Sequence, residues 1–391
     1  MIADASDQLA VPCVLMRGGT SKAVFFHEKD VPPPGPVRDG FLKRAMGTPD
    51  ALQIDGLGGS RLVTSKVAIV KRSSRDDADV DYTFAQVDVE RDLIGHDGNC
   101  GNISSAVGPF AIDEGLVEPT EPVTTVRIWN TNTGKHLVAK VQVRNGKARV
   151  LGDCAIAGVP GTGAEILMDY TETVGAKTGK LLPTGKVVDR ISLESGASVD
   201  ATICDAGNPC VFVAASDLGL TGSELPQAIT ANSALIETIG EIQSKAGQMS
   251  GLWSDWRSHH LPGLPLFVMV VPAADFADVM GQTHQASSMD LRARLVFLGK
   301  CHESMAGTGS MCTAAASRVR GSVVNRTIGL VAASRETLRI GHPLGVMEVK
   351  VVAGAPDAGA ETSSVRFEAL GFTRTARRLM AGTVYVPGSQ V

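Results

Sequence analysis

His96-Asp97-Gly98-Asn99-Cys100-Gly101-Asn102-Ile103-Ser104-Ser105-Ala106-Val107-Gly108-Pro109-Phe110 sets a thiol among small, turn-forming residues and follows it with an apolar run. The order reads as a loop feeding the N-terminus of a buried helix over Ile103 to Glu114, ended by Gly115. The first turn of such a helix presents N–H groups without intrahelical partners and carries partial positive charge. A carboxylate or an enolate is held well there, and a thiol in the same place loses its proton more readily. A structural cysteine in a Gly-rich turn accounts for the same residues, because free cysteines are commonly buried. The two readings differ in whether the helix end faces a ligand.

Composition narrows the classes. The chain has 391 residues and a formal net charge of −4, which leaves no electrostatic footprint for nucleic acid or a membrane surface. No apolar run approaches the ~20 residues of a membrane span. Met1 to Ala10 lacks the basic and apolar regions of a secretory signal. Seven cysteines (Cys13, Cys100, Cys154, Cys204, Cys210, Cys301 and Cys312) fall at irregular spacings without a CxxC pair, so reduced thiols in a cytoplasmic protein are expected, with neither disulfides nor zinc.

Outward from the central stretch, Leu9 to Leu15 and Ala23 to Phe26 read as strands of a hairpin. Its loop, Met16-Arg17-Gly18-Gly19-Thr20-Ser21-Lys22, is rich in donors; it is an ordinary turn or, through Arg17, a carboxylate contact. Thr64-Ser65-Lys66-Val67-Ala68-Ile69-Val70 puts a lysine where a loop enters a buried strand. Lys66 is there either a snorkelling edge residue or a desolvated amine usable as a base. Asp79 to Asp88 alternates as a strand; Val123 to Trp129 and Lys135 to Val143 form a hairpin. Further on, Cys210 to Ala214 and Leu264 to Val271 read as strands, Ala231 to Lys245 and Met311 to Arg318 as helices, Gly345 to Val352 as part of a hairpin, and Val365 to Arg377 as a strand or strand pair.

The pattern repeats. Ser21 to Phe26 resembles Asn208 to Val213. Gly101 and Asn102 fall on Gly307 and Thr308, and Gly115 falls on Gly321. Val126-Arg127-Ile128 matches Leu338-Arg339-Ile340. Two homologous halves follow, each with a mostly antiparallel sheet wrapped on a central helix whose N-terminus faces a shared cleft. The crossover lies near residues 180–190, giving an N-terminal half of 1–188 and a C-terminal half of 189–391. Cys100 aligns with Ala306, so a symmetric two-thiol mechanism is not expected.

The segments Met16 to Lys22, Thr64-Ser65-Lys66, Gly98 to Asn102 and Ala106 to Ile112 together resemble the PrpF-type isomerase family, from about Val11 to Pro387. The resemblance implies the α+β, diaminopimelate-epimerase-like fold of two pseudo-symmetric domains, with no cofactor and no metal. Residue by residue, Lys66 matches the family's lysine base and Cys100 its cysteine. The substrate contacts it implies are Arg17, Gly19, Thr20, Ser21, Ser65, Asn99, Gly101, Asn102, Gly307, Thr308, Gly309 and Ser310. Ala23 stands where many members have Gly.

The activity implied is a 1,3-allylic proton shift in an unsaturated tricarboxylate, 4-oxalomesaconate first, with 2-methylaconitate or methylitaconate as the alternative. An amino- or hydroxy-acid racemase on the same fold and a non-catalytic carboxylate-binding protein are the competing readings. The partner is a small di- or tricarboxylate, without nucleic acid or membrane, and a homodimer is an assembly this reading allows. His96 either tunes Cys100 or sits in a solvated loop. His302-Glu303 lacks the HExxH metal spacing, Asp55 to Gly59 lacks the context of a nucleotide loop, and His259-His260 reads as a surface loop or lid.

Overall fold

The computed structural model describes residues 7–354 and 365–388, in two compact units. Unit 1 comprises 7–167 together with 374–388, and unit 2 comprises 168–354 with 365–373.

Unit 1 is built from β1 (Gln8–Gly18), β2 (Ser21–His27), α1 (Pro36–Met46), β3 (Lys66–Arg72), β4 (Val80–Val87), α2 (Gly101–Asp113), β5 (Val123–Asn130) and β6 (Lys135–Arg144). The pairing runs antiparallel β1–β2, parallel β2–β3, antiparallel β3–β4, parallel β4–β5 and antiparallel β5–β6. Strand alternation separates the two faces of the sheet. Phe26, Val67, Ile69, Ala85 and Val87 pack with Phe41, Leu42 and Met46 of α1. Phe25 faces the other way and meets Phe110 of α2, ring centroids 5.3 Å apart. Residues 101–112 of α2 are buried throughout, as an all-round apolar helix must be.

Unit 2 repeats this wiring with β7 (Ser198–Ala206), β8 (Asn208–Ala214), α3 (Ser233–Met249), β9 (Leu266–Pro272), β10 (Leu291–Phe297), α4 (Gly307–Arg318), β11 (Thr337–His342) and β12 (Gly345–Ala353). The order of pairing senses is the same: antiparallel, parallel, antiparallel, parallel, antiparallel. Here Val211, Val213, Phe267 and Met269 pack against Ile239 and Ile242 of α3, while α4 is buried on the opposite face.

The division differs from the 188/189 boundary read from the sequence. Chain beyond Leu167 already bonds to unit 2: Gly175 N–H donates to Asp205 O and Asp205 N–H to Leu181 O. The last strand, Ala376–Pro387, pairs antiparallel with β1 along its whole length and so returns to unit 1. The strand expected over Val365 to Arg377 is Phe367–Arg374, and Ala376–Pro387 extends past it.

Candidate active site

Lys66 opens β3. Because Val67 and Ile69 lie on the α1 side, Lys66 points to the α2 side. It sits between Ala23 of β2 and Gln86 of β4 in register and is 3% exposed. Nζ donates to Gln86 Oε1 and lies 5.3 Å from the centroid of the Phe84 ring. Among the described residues no carboxylate pairs with it; the ionisable group within hydrogen-bonding reach is the Cys100 thiol. Burial pulls the Lys66 pKa down and outweighs the opposing pull of the Cys100 sulfur. Ser65, before it, is buried, and its Oγ accepts from Gln53 Nε2 at 2.7 Å.

Cys100 is the half-buried N-cap of α2, with extended backbone (φ −105°, ψ 103°) and no side-chain cap. Its carbonyl accepts from Ser104 N–H at 2.9 Å and Ser104 Oγ at 3.0 Å. The positive end of a buried helix therefore opens beside a thiol and a desolvated amine. Ser21, on the same face of the sheet, is 3% exposed, and its Oγ has no hydrogen-bond partner among the described residues. Asn102, in the first turn, donates from Nδ2 to Thr20 Oγ1 at 3.1 Å and accepts at Oδ1 from Arg374 Nε at 3.0 Å. The neighbouring turn must be glycine: Gly19 has φ +51°, and a Cβ there would fall 2.3 Å from Asn102 Oδ1. Arg17 leaves β1 on the face away from α2 and clamps the turn, donating to Gly19 O at 3.0 Å, Thr375 O at 2.8 Å and Thr375 Oγ1 at 3.0 Å.

In unit 2 the N-cap of α4 is Ala306. Thr308 Oγ1 accepts from Asn208 Nδ2 at 3.0 Å, the reverse of the Asn102–Thr20 pair. Ser310 Oγ donates to Gly307 O at 2.7 Å inside the helix. Gly309 serves packing, since a Cβ there would lie 2.4 Å from Leu295 Cδ1. Leu266 occupies the place that Lys66 has in unit 1, opening the strand parallel to the hairpin.

A family profile described as "PrpF protein" matches residues 8–387. The chain belongs to the PrpF family. A 3-methylitaconate isomerase of Eubacterium barkeri is 45% identical over 97% of this chain and 98% of its own. A 4-oxalomesaconate tautomerase of Pseudomonas putida is 37% identical over 97% of each chain. The crystal structure of a methylitaconate-delta-isomerase superposes with a TM-score of 0.77 at 44% identity, covering 98% of this chain and 97% of that one. A hydroxyproline epimerase from Agrobacterium vitis shares the fold alone, with a TM-score of 0.57 at 14% identity over 97% and 93% of the two chains. The protein is thus an isomerase with the α+β, diaminopimelate-epimerase-like fold.

Several histidines of this PrpF-family chain stand elsewhere. His96 Nε2 meets Asp39 Oδ1 at 2.8 Å, so it ties the loop to α1. His302 Nδ1 accepts from Ser304 N–H at 3.0 Å, and His259 stacks on Trp253 with ring centroids 4.1 Å apart. Asn99 is buried, and its Oδ1 lies 3.5 Å from Asn130 Nδ2. Sequence reading did not find Gln86, Arg374 or Thr375. Gln86 carried one signal, a polar residue on the buried face of an alternating strand.

Proposed function

We propose that this PrpF-family isomerase moves a double bond by a cofactor-independent 1,3-allylic proton shift in a branched, unsaturated di- or tricarboxylate, with Lys66 as base. The observation that carries the reading is the Lys66 amine: buried, without a carboxylate partner among the described residues, and within reach of a thiol at a helix N-terminus. Burial lowers the pKa of a lysine so placed and shifts it toward the neutral form, which a base requires.

Lys66 Nζ takes the proton from the carbon that is both allylic and next to a carboxylate. The C–H electron pair spreads into a dienolate whose charge reaches carboxylate oxygen. The first turn of α2 and the Ser21 hydroxyl offer donors to that oxygen, and a donor of this kind contributes about 3–4 kcal/mol to a transition state. A proton returned to the far carbon from the Lys66 ammonium completes the shift; one returned from Cys100 leaves a thiolate that the Lys66 ammonium, within reach, reprotonates, so neither route changes the proton count.

Methylitaconate is the first substrate to test, because the 45% identical relative bears that name. The 4-oxalomesaconate preferred from sequence stands second, beside the 37% identical relative. A racemase on this fold would use a second proton carrier, and Ala306 occupies the position matching Cys100. Proton NMR in D₂O, with methylitaconate, 4-oxalomesaconate, 2-methylaconitate and cis-aconitate in separate tubes, tests the reading. Deuterium at an allylic carbon of one compound, absent with Lys66→Met, is the expected result. Unchanged exchange in Lys66→Met would overturn the role of the lysine.

A further inference from the structure

Gln86 lies directly across the β3–β4 ladder from Lys66 and is 7% exposed. Its amide nitrogen donates to backbone carbonyls of Ser65 at 3.0 Å, Leu62 at 3.1 Å and Val87 at 3.3 Å. With the nitrogen so occupied, a flipped amide would set its oxygen against those carbonyls. Oε1 is therefore fixed toward Lys66 Nζ, from which it accepts. An amide oxygen only accepts, and it carries no charge.

Those two properties suit a base. A neutral amine has two N–H bonds and one lone pair. Giving one N–H to Gln86 fixes the rotation about Cε–Nζ and turns the lone pair away from β4. A carboxylate in the same place would hold the lysine as an ammonium ion. We propose that Gln86 is the positioning residue for the base: a neutral acceptor, locked by three carbonyls, that orients Lys66 without holding it charged. The inference rests on Lys66 being the base.

The surroundings of Lys66 make the test clean. From β2 it meets Ala23, from β4 Gln86 and Phe84, and from the N-cap of α2 Cys100. Cys100 is the titratable group among these neighbours. A charge introduced at residue 86 is then read mainly by Lys66.

The experiment measures kcat and KM for methylitaconate against pH, with Gln86→Glu and Gln86→Met. A base must be unprotonated, so its pKa sets the acidic limb of the profile. In Gln86→Glu the limb moves to higher pH by about 1–3 pH units, the displacement an adjacent opposite charge produces, and the rate recovers as pH rises. In Gln86→Met kcat falls about 10²-fold through misorientation, with KM unchanged. A merely structural glutamine would, in Gln86→Met, lower the amount of folded enzyme and leave kcat of the folded fraction in place. ¹⁵N NMR of the Lys66 side chain, assigned by its absence in Lys66→Met, separates the two levels of argument. If Gln86→Glu raises the Lys66 pKa while Lys66→Met keeps wild-type exchange, the Gln86–Lys66 contact stands but the base role falls, and the inference with it. If Lys66→Met abolishes exchange while both Gln86 variants keep the wild-type limb and kcat, the inference about Gln86 is overturned. The wild-type chain gives a reading that needs no substituted protein: slow rotation of Lys66 Nζ is expected, and a freely rotating amine would refute the proposal.

Discussion

Cys100 stands at the N-cap of α2 and Ala306 at the N-cap of α4. Lys66 opens β3 and Leu266 opens β9; across the ladder Lys66 faces Gln86, whereas Phe297 is next in register beside Leu266. The two units share strand order, pairing senses and a buried helix, yet every group able to carry a proton at this place in unit 1 is apolar in unit 2. The scaffold contacts follow another rule. Asn102 donates to Thr20, while Thr308 accepts from Asn208, so the bond between turn and helix persists with its partners exchanged. Two residues before the turn glycine, Arg17 clamps Gly19 and Thr375, and Asp205 accepts from the N–H groups of Lys177 and Thr178 at 2.9 and 2.8 Å. Charges of opposite sign perform the same tethering. A fold thus tolerates exchange of donor for acceptor at its joints, while the amine and the thiol of unit 1 have only apolar residues at the matching places of unit 2.

That contrast is broken most sharply by giving unit 1 the apolar character of unit 2. Lys66→Met is expected to lower kcat by about 10²–10⁴-fold. Its thermal midpoint should stay within about 4 °C of wild type, a change of about 1 kcal/mol for a protein of this size or smaller, since a buried amine and one hydrogen bond are lost together. Cys100→Ala, the N-cap of unit 2 placed in unit 1, should lower kcat by about 10²-fold if the thiol returns the proton, while an unchanged kcat would assign both transfers to Lys66.

The tethers differ in their response to pH. Burial pushes the Asp205 carboxyl up to about 6, so the folded chain binds a proton there that the unfolded chain releases near its ordinary value. Between about pH 4 and 6 the folded state holds more protons, and stability falls as pH rises, by about 2 kcal/mol through this group. Denaturant titrations from pH 4 to 7 should show that slope in wild type and lose it in Asp205→Asn. The smallest difference concerns the turns. A Cβ at Gly19 meets Asn102 Oδ1 at 2.3 Å, whereas at Gly207 (φ +77°) the nearest atom is Met311 Cε at 3.3 Å. Both changes to alanine carry the left-handed penalty, and Gly19→Ala should be the more destabilising by about 1 kcal/mol.

What sequence made legible was local. The small residues around Cys100 announced a helix N-terminus, and α2 begins one residue after the thiol. Lys66 before a β-branched and apolar run announced a lysine at a strand mouth, and β3 begins there. The repeat aligned Cys100 with Ala306, and both are N-caps. Contacts set by long-range register stayed hidden. Nothing near residue 86 says that it pairs with residue 66, and Thr375 reaches Arg17 across 358 positions. By sequence Arg17 is a turn residue or a carboxylate contact; its chemistry suits either, and the contact it makes with Thr375 appears only once β1 and the strand from Ala376 are known to pair.

The last strand has a consequence for how the chain is made. Ala376–Pro387 fills the place beside β1, so unit 1 cannot finish its sheet until residues 376–387 have left the ribosome. Unit 2 is contiguous in sequence and is complete earlier. Domains usually fold in order of synthesis; here the unit bearing the amine and the thiol closes after the unit inserted within it, and β1 waits with an open edge while unit 2 is made.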